Sequence, residues 1–242
     1  MTKKMTKAQR IIAIVPAAGI GSRVGAAQPK QYLMLGAKTV IEHTLETLLQ
    51  VVAIERIVVA LAPQDNYWPK LALAANPAIT AVLGGDQRCH SVLNSMQAIK
   101  ADSTAADWQR SWLLVHDVAR PCVAETDINR LIEAVIDGDC GGILASAATD
   151  TVKQLDDSGL ISHTINRDRL WLAQTPQLFP AELLLQSLVG ALAAGVVITD
   201  ESSAMEWAGY RPQVVVGASH NIKITDAADL ALATFYLSQG TA

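Results

Sequence analysis

Short apolar runs alternate with amphipathic stretches along this chain. Ile11 to Val15 is an unbroken apolar run stopped by Pro16, and Ile57 to Leu61 is a second, stopped by Pro63. A run with no polar position has no solvent face, so each reads as a strand buried on both sides of a parallel sheet. Ile79–Leu83, Trp112–His116, Gly142–Ser146 and Gln213–Val216 read as further strands. Between them the apolar period changes to that of a helix. Val40, Ile41, Thr44, Leu45, Leu48 and Leu49 recur at helical spacing behind Thr39, which reads as the N-cap. Leu71–Ala75, Ser91–Ile99, Glu125–Ile136, Ala181–Ala193, Glu201–Ala208 and Asp226–Leu237 read as helices.

This order predicts an α/β fold. The expected architecture is a Rossmann-like, mainly parallel sheet with helices on both faces. Ligands then sit beyond the carboxyl ends of the strands, where every motif below is expected. The rhythm breaks at Thr149–Arg169. Val152–Leu155 and Ile161–Thr164 read as two short strands around Asp156-Asp157-Ser158-Gly159. This extended β-hairpin is too polar for a core. An exposed hairpin and a dimerisation arm fit it equally. No repeat, low-complexity tract or linker interrupts the chain. Residues 1–242 are therefore expected to form one domain, with 1–10 a flexible basic leader and about 149–169 the β-arm.

Composition narrows the partners. Half of the 242 residues are apolar, enough for a sizeable core, and the net charge of −4 leaves no basic footprint for nucleic acid. Cys89, Cys122 and Cys140 form no C-x-x-C pair, which argues against a zinc site or a disulfide framework and for a reducing, cytoplasmic setting. No stretch approaches the ~20 apolar residues of a membrane span. The run from Ile11 is also too short for a signal-peptide core.

The chemistry gathers behind the first strand. Pro16-Ala17-Ala18-Gly19-Ile20-Gly21-Ser22-Arg23 is a loop of small residues, followed by Lys30. Small residues let backbone N–H groups approach an anion, and Gly19 and Gly21 allow positive φ. Arg23 and Lys30 add two cations. In outline this is a polyphosphate cradle. It is not a dinucleotide fingerprint, because Val24 stands at the third glycine position and no acid ends the next strand. It is not a Walker A loop either, because no Gly-Lys-Ser/Thr opens a helix. A plain strand-to-helix turn remains open.

Two further strand ends carry polar constellations. Gly84-Gly85-Asp86-Gln87-Arg88 precedes Ser91. Asp86 could accept from a cytosine amine or simply cap the next helix. His116-Asp117-Val118-Ala119-Arg120-Pro121 follows another strand. Asp117 stands where a nucleotide-bound Mg²⁺ is held, with helix capping as its alternative. No H-E-x-x-H or G-x-S-x-G is present.

Pro16 to Arg23 with Pro29-Lys30-Gln31 resembles the nucleotidyltransferase signature of sugar-nucleotide pyrophosphorylases. Within that superfamily the chain resembles the 2-C-methyl-D-erythritol 4-phosphate cytidylyltransferase family of the non-mevalonate isoprenoid pathway. The family's H-D-A-A-R-P stands here with Val118 at the first alanine. Asp150-Thr151-Val152-Lys153, His163 to Arg167, Gln174-Thr175-Pro176-Gln177, Ile198 to Glu201 and Asn221 to Thr225 are similar to its later motifs, in order, from about Ile12 to Tyr236.

The resemblance implies transfer of the cytidylyl group of CTP to the methylerythritol phosphate, with release of pyrophosphate. It implies nucleotide contacts from Pro16, Ala17, Ala18, Gly19, Gly21, Gly85, Asp86, Ser91, Asp117 and Val118. Arg120, Thr151, Arg167, Thr175, Thr199 and Lys223 would surround the acceptor. Arg23, Lys30, Arg167 and Lys223 would be catalytic, and Asp117 would hold Mg²⁺. The arm would cross to a second subunit of a homodimer. A cytidylyltransferase for another polyol phosphate, such as ribitol 5-phosphate, is the near alternative. A non-catalytic nucleotide-binding regulator is the distant one.

Overall fold

The computed structural model describes residues 9–19 and 28–240. Gly21, Arg23 and most of the basic leader lie outside the described residues. Arg10, expected in the leader, instead opens the first strand and pairs with Glu55.

The first half of the chain gives β1 (Arg10–Pro16), β2 (Met34–Leu35), β3 (Lys38–Thr39), α1 (Val40–Gln50), β4 (Ile54–Leu61), β5 (Ile79–Leu83), α2 (Arg88–Ala101), α3 (Ala105–Gln109) and β6 (Ser111–Val115). The second half gives α4 (Glu125–Val135), β7 (Gly142–Ala147), β8 (Val152–Leu155), β9 (Ile161–Ile165), β10 (Trp171–Pro180), α5 (Ala181–Ala193), α6 (Glu201–Trp207), β11 (Gln213–Val216) and α7 (Ala227–Ser238). Thr39 caps α1 as expected. Its hydroxyl accepts from the Glu42 N–H, and the Glu42 carboxylate accepts in return from the Thr39 N–H at 2.8 Å.

Seven strands form one sheet in the order β11-β7-β10-β6-β1-β4-β5. β4 and β6 pair parallel to β1, β5 parallel to β4 and β11 parallel to β7, while β10 runs antiparallel to β6 and β7. From β1 the chain steps outward through β4 to β5, then returns to place β6 on the other side of β1. The order therefore reverses between β1 and β6, which is where open α/β sheets take their ligands.

The unbroken apolar runs are explained by the two covered faces. In β1, Ile11, Ala13 and Val15 enter one core with Ile41, Leu45 and Leu48 of α1 and Ile128 and Leu131 of α4. Ile12 and Ile14 enter the other with Val92 and Met96 of α2 and Leu184 and Leu188 of α5. Each fully buried side chain of this size is worth about 1.5–3 kcal/mol. The loops at the carboxyl ends of β1 and β6 thus spring from the best-packed strands.

Four sequence expectations change. β10 is absent from the pattern reading because Pro176 lies within it, and proline cannot donate to a ladder. The sheet accommodates it at a register shift between Ala173 and Gln177. Gln174–Gln177 therefore lies inside a strand, and Ile198–Glu201 at a helix start, rather than at strand ends. Leu71–Ala75 holds a short 3₁₀ turn from Ala72 to Ala75 instead of an α-helix. The short elements β2, β3 and α3 carry too few residues to show a period.

The expected hairpin is present as β8 and β9, a two-stranded sheet of its own. Its apolar side chains are uncovered: Leu155, Leu160 and Ile161 are 54%, 67% and 62% exposed. Among the described residues no helix is long and apolar enough to cross a membrane.

Candidate active site

One cleft opens over the ends of β1, β5 and β6. It is lined by Pro16 to Gly19, Lys30, Gln31, Gly85 to Arg88, Ser91, Asp117 to Ala119 and Lys223. The two small-residue loops abut. A Cβ on Gly84 would come within 2.5 Å of the Ala18 Cβ, and one on Gly85 within 2.4 Å of the His90 Cβ. Glycine is needed at 84 and 85 for this close packing. Gly19 does not use the positive φ open to it.

Side chains behind the cleft hold these loops. Gln31 Nε2 donates to the Ala17 carbonyl at 2.7 Å, while its Oε1 is buried with no partner among the described residues. Ser91 Oγ accepts from the Gly85 N–H at 3.0 Å and lies 3.2 Å from the Gln87 carbonyl. Its hydroxyl is spent on shaping the loop. Asp86 is exposed and is not the cap of α2, a place taken by Gln87. Val118 is 6% exposed, packs in the core beneath the cleft, and accepts from Thr44 Oγ1 through its carbonyl at 2.9 Å.

Asp117 lies at the centre, well before α4, so it caps no helix. Arg88 Nε donates to its Oδ1 at 2.6 Å, and Lys223 Nζ lies 2.7 Å from its Oδ2. Burial alone would push this carboxyl up. The two cations overcome that and hold it well below the usual carboxylate range. Arg88 continues to Glu201, donating from Nη1 at 2.7 Å and Nη2 at 2.9 Å.

A hydroxyl chain orders the same turn. The Asp117 N–H donates to Thr175 Oγ1 at 3.0 Å, and that oxygen lies 3.1 Å from His116 Nδ1. His116 Nε2 lies 3.1 Å from the Arg120 carbonyl, which can only accept. The Nε2 nitrogen therefore carries the proton, and Thr175 donates to Nδ1. Burial pushes the His116 pKa down to about 4, so the ring is neutral at physiological pH.

A second pocket adjoins the first. Arg120, Gln174, Thr175, Gln177, Thr199 and Asp200 line it, and it shares Arg88, Asp117 and Lys223 with the first. The loop after β11 brings Lys223 to this junction. It is tied down by Gln174 Nε2 to the Ala218 carbonyl at 3.0 Å, by Asn221 Nδ2 to the Thr175 carbonyl at 2.8 Å, and by the Ile224 N–H to the Ala119 carbonyl at 2.8 Å. Arg120 spends Nη1 on the Asn221 carbonyl at 2.7 Å and Nη2 on the Ala173 carbonyl at 3.3 Å. Its guanidinium braces the wall of the pocket.

Two adjoining pockets at a sheet switch point suit two substrates meeting over one carboxylate and two cations. The family model for "2-C-methyl-D-erythritol 4-phosphate cytidylyltransferase" (IspD) matches residues 11–239. The chain belongs to the IspD family. Among curated relatives of that name, one from Vibrio vulnificus (strain CMCP6) is 49% identical over 239 residues, 99% of this chain and 98% of the relative. One from Shewanella frigidimarina is 52% identical over 229 residues, 95% of this chain and 97% of the relative. The solved Francisella tularensis IspD structure superposes with a TM-score of 0.80 at 35% identity, covering 94% of this chain and 99% of that one.

Within this IspD-family chain, Pro16 to Gly19, Lys30, Gly85, Asp86, Ser91, Asp117, Val118 and Lys223 all line the first pocket. Arg120, Thr175 and Thr199 line the second, again with Lys223. Thr151 and Arg167 line neither. Both are exposed at the arm, where Arg167 donates to the Thr149 carbonyl. The sequence reading missed roles for Arg88 and Glu201, whose partners lie 29 and 113 positions away. A cation at the first residue of a helix, against the helix dipole, was the available signal for Arg88.

Among the described residues no three His, Cys, Asp or Glu side chains cluster as a metal cage. Mg²⁺ on a nucleotide needs no cage, because phosphates and water complete its octahedron around one or two carboxylates. Asp117 is the carboxylate that lines both pockets, and it would hold such an ion through Oδ2 once Lys223 turns to a phosphate.

Proposed function

We infer that this chain transfers the cytidylyl group of CTP to 2-C-methyl-D-erythritol 4-phosphate. The products are 4-diphosphocytidyl-2-C-methyl-D-erythritol and pyrophosphate, in the non-mevalonate route to isoprenoids. The observation that carries the reading is the junction: two pockets share Arg88, Asp117 and Lys223.

An acceptor phosphate oxygen attacks the α-phosphorus of CTP. The new P–O bond forms as the bond from the α-phosphorus to the bridging oxygen breaks, and the electron pair leaves with pyrophosphate. A phosphate monoester has its second pKa near ~6, so the nucleophile is already anionic and needs no general base. The requirement is to bring two anions together and stabilise charge in an in-line transition state.

We assign Lys223 to the attacking phosphate and the transferred phosphoryl, supported by its place in both pockets. Lys30 and Arg23 serve the triphosphate, and Pro16 to Gly19 with Gly21 approach it through their backbone. Gly85, Asp86 and Ser91 form the base site, and Val118 lies near the ribose. Thr175, Thr199 and Arg120 form the acceptor site. Mg²⁺, held by Asp117, would neutralise the triphosphate, and activity should vanish in excess chelator.

The whole chain is proposed as one domain acting as a cytoplasmic homodimer. Free Cys89, Cys122 and Cys140 support the compartment. The uncovered apolar side chains of β8 and β9 support the arm as the dimer contact, with Thr151 and Arg167 serving the partner's site.

Pyrophosphate release tests the reading. Turnover with CTP and 2-C-methyl-D-erythritol 4-phosphate is expected. Faster turnover with ribitol 5-phosphate would reassign the acceptor, and no release with any polyol phosphate would make the chain a nucleotide-binding regulator.

A further inference from the structure

Glu201 is 1% exposed and is the first residue of α6, while its partner Arg88 is the first residue of α2. One helix start borders the acceptor pocket through Thr199 and Asp200. The other borders the nucleotide cleft through Gln87. The Glu201–Arg88 pair joins them beneath the junction.

The helix dipole favours Glu201, an acid in the first turn of α6, but not Arg88. A cation at a helix N-terminus opposes the dipole, and α2 has no acid in its first turn to offset it. Buried ion pairs are often no more stable than apolar residues of the same volume. What the pair does provide is direction. Both Arg88 Nη atoms are engaged by the two Glu201 oxygens, which leaves Nε aimed at Asp117 Oδ1. Asp117 then presents Oδ2 toward Lys223 and the junction.

We propose that Glu201 is a positioning residue for cytidylyl transfer, holding Arg88 so that Nε fixes the Asp117 carboxylate between the two substrates. This rests on the placement of Asp117 in the reacting centre. Glu201 lines neither pocket, so its effect passes through Arg88.

The test compares Glu201→Gln, Arg88→Met, the Arg88→Met/Glu201→Met double variant and Asp117→Asn. Each is measured well below its own melting temperature and normalised to folded protein by circular dichroism. Glu201→Gln is expected to lower kcat about 10–100-fold, the usual loss when a partner orienting a ligand is removed. KM for CTP and for the acceptor should stay near the parent values. The double variant should match Arg88→Met in kcat, because without Arg88 there is nothing left for Glu201 to orient. A parental kcat per folded chain in Glu201→Gln, with only a lower melting temperature, overturns the proposal. So do losses that multiply in the double variant. If Glu201→Gln does not fold, Glu201→Asp, which keeps the charge but draws the carboxylate back from Arg88, takes its place with the same expected loss of kcat and the same overturning result. Full activity in Asp117→Asn would instead reject the reacting centre itself, whatever Glu201 does.

Discussion

Lys30 Nζ donates to the carbonyl of Ile224 at 3.1 Å, beside Lys223. The lysine that follows the first loop thus reaches across the cleft to the loop that carries the second. A backbone carbonyl is a neutral acceptor, and a triphosphate oxygen is a stronger one. Lys30→Ala should therefore cost about 10²–10³-fold in kcat, the range for one preorganised transition-state donor. Thermal stability should change little, because this lysine fills no core volume. Turnover near the parent rate would remove Lys30 from the mechanism.

CTP should be preferred to UTP. Cytosine offers an amine where uracil offers a carbonyl, and Asp86 stands exposed in the cleft at the end of β5. Once the bound base shuts water out of this end of the cleft, an acceptor facing uracil loses its donor, a mismatch worth ~1–3 kcal/mol for a group so buried. A preference of about 5- to 150-fold in kcat/KM is expected on that scale. Equal rates with both nucleotides would move the base site elsewhere.

How much of this could be read without coordinates depended on range. Ile11–Val15, Ile57–Leu61 and Ala181–Ala193 were legible because one period, apolar throughout or helical, runs unbroken across each. Thr39 was legible as a cap because its partner Glu42 is three residues on. β10 was not, because Pro176 contradicts a strand locally and only its neighbours β6 and β7 pull it into one. The nucleotide loops declared themselves through glycine and alanine. Arg88 and Glu201 did not, because an ion pair between distant segments leaves no local pattern. Gly19 allows positive φ by residue type and does not use it. The glycines that are sterically required, Gly84 and Gly85, are set by close packing against Ala18 and His90.

The His116 ring predicts how stability depends on pH. Its pKa in the fold is about 4, against an ordinary value of 6.5. The unfolded chain therefore takes up a proton that the native chain refuses. Stability from this group is complete above pH ~6.5 and falls as the pH drops toward ~4, by on the order of 3 kcal/mol. Urea midpoints measured across that window should decline in the parent. In His116→Gln, whose amide can still donate to the Arg120 carbonyl, the decline should be shallower. Identical slopes would show that His116 does not set it.

The arm yields the last prediction. Arg167 and Thr151 lie outside both pockets of their own chain, yet Arg167 is expected to touch the attacking phosphate. An arm that delivers Arg167 to a second copy reconciles the two. Leu155, Leu160 and Ile161 give such a contact apolar surface to bury. Arg167→Ala and Lys223→Ala should each be nearly inactive. Mixed under conditions where subunits exchange, they form dimers in which one site carries both lesions and the other carries neither. Activity should then rise above that of either parent variant. If exchange is verified by a mass-tagged subunit and activity stays flat, Arg167 serves its own chain and the shared site is wrong. A monomer in sedimentation at assay concentration would reject the arm contact directly.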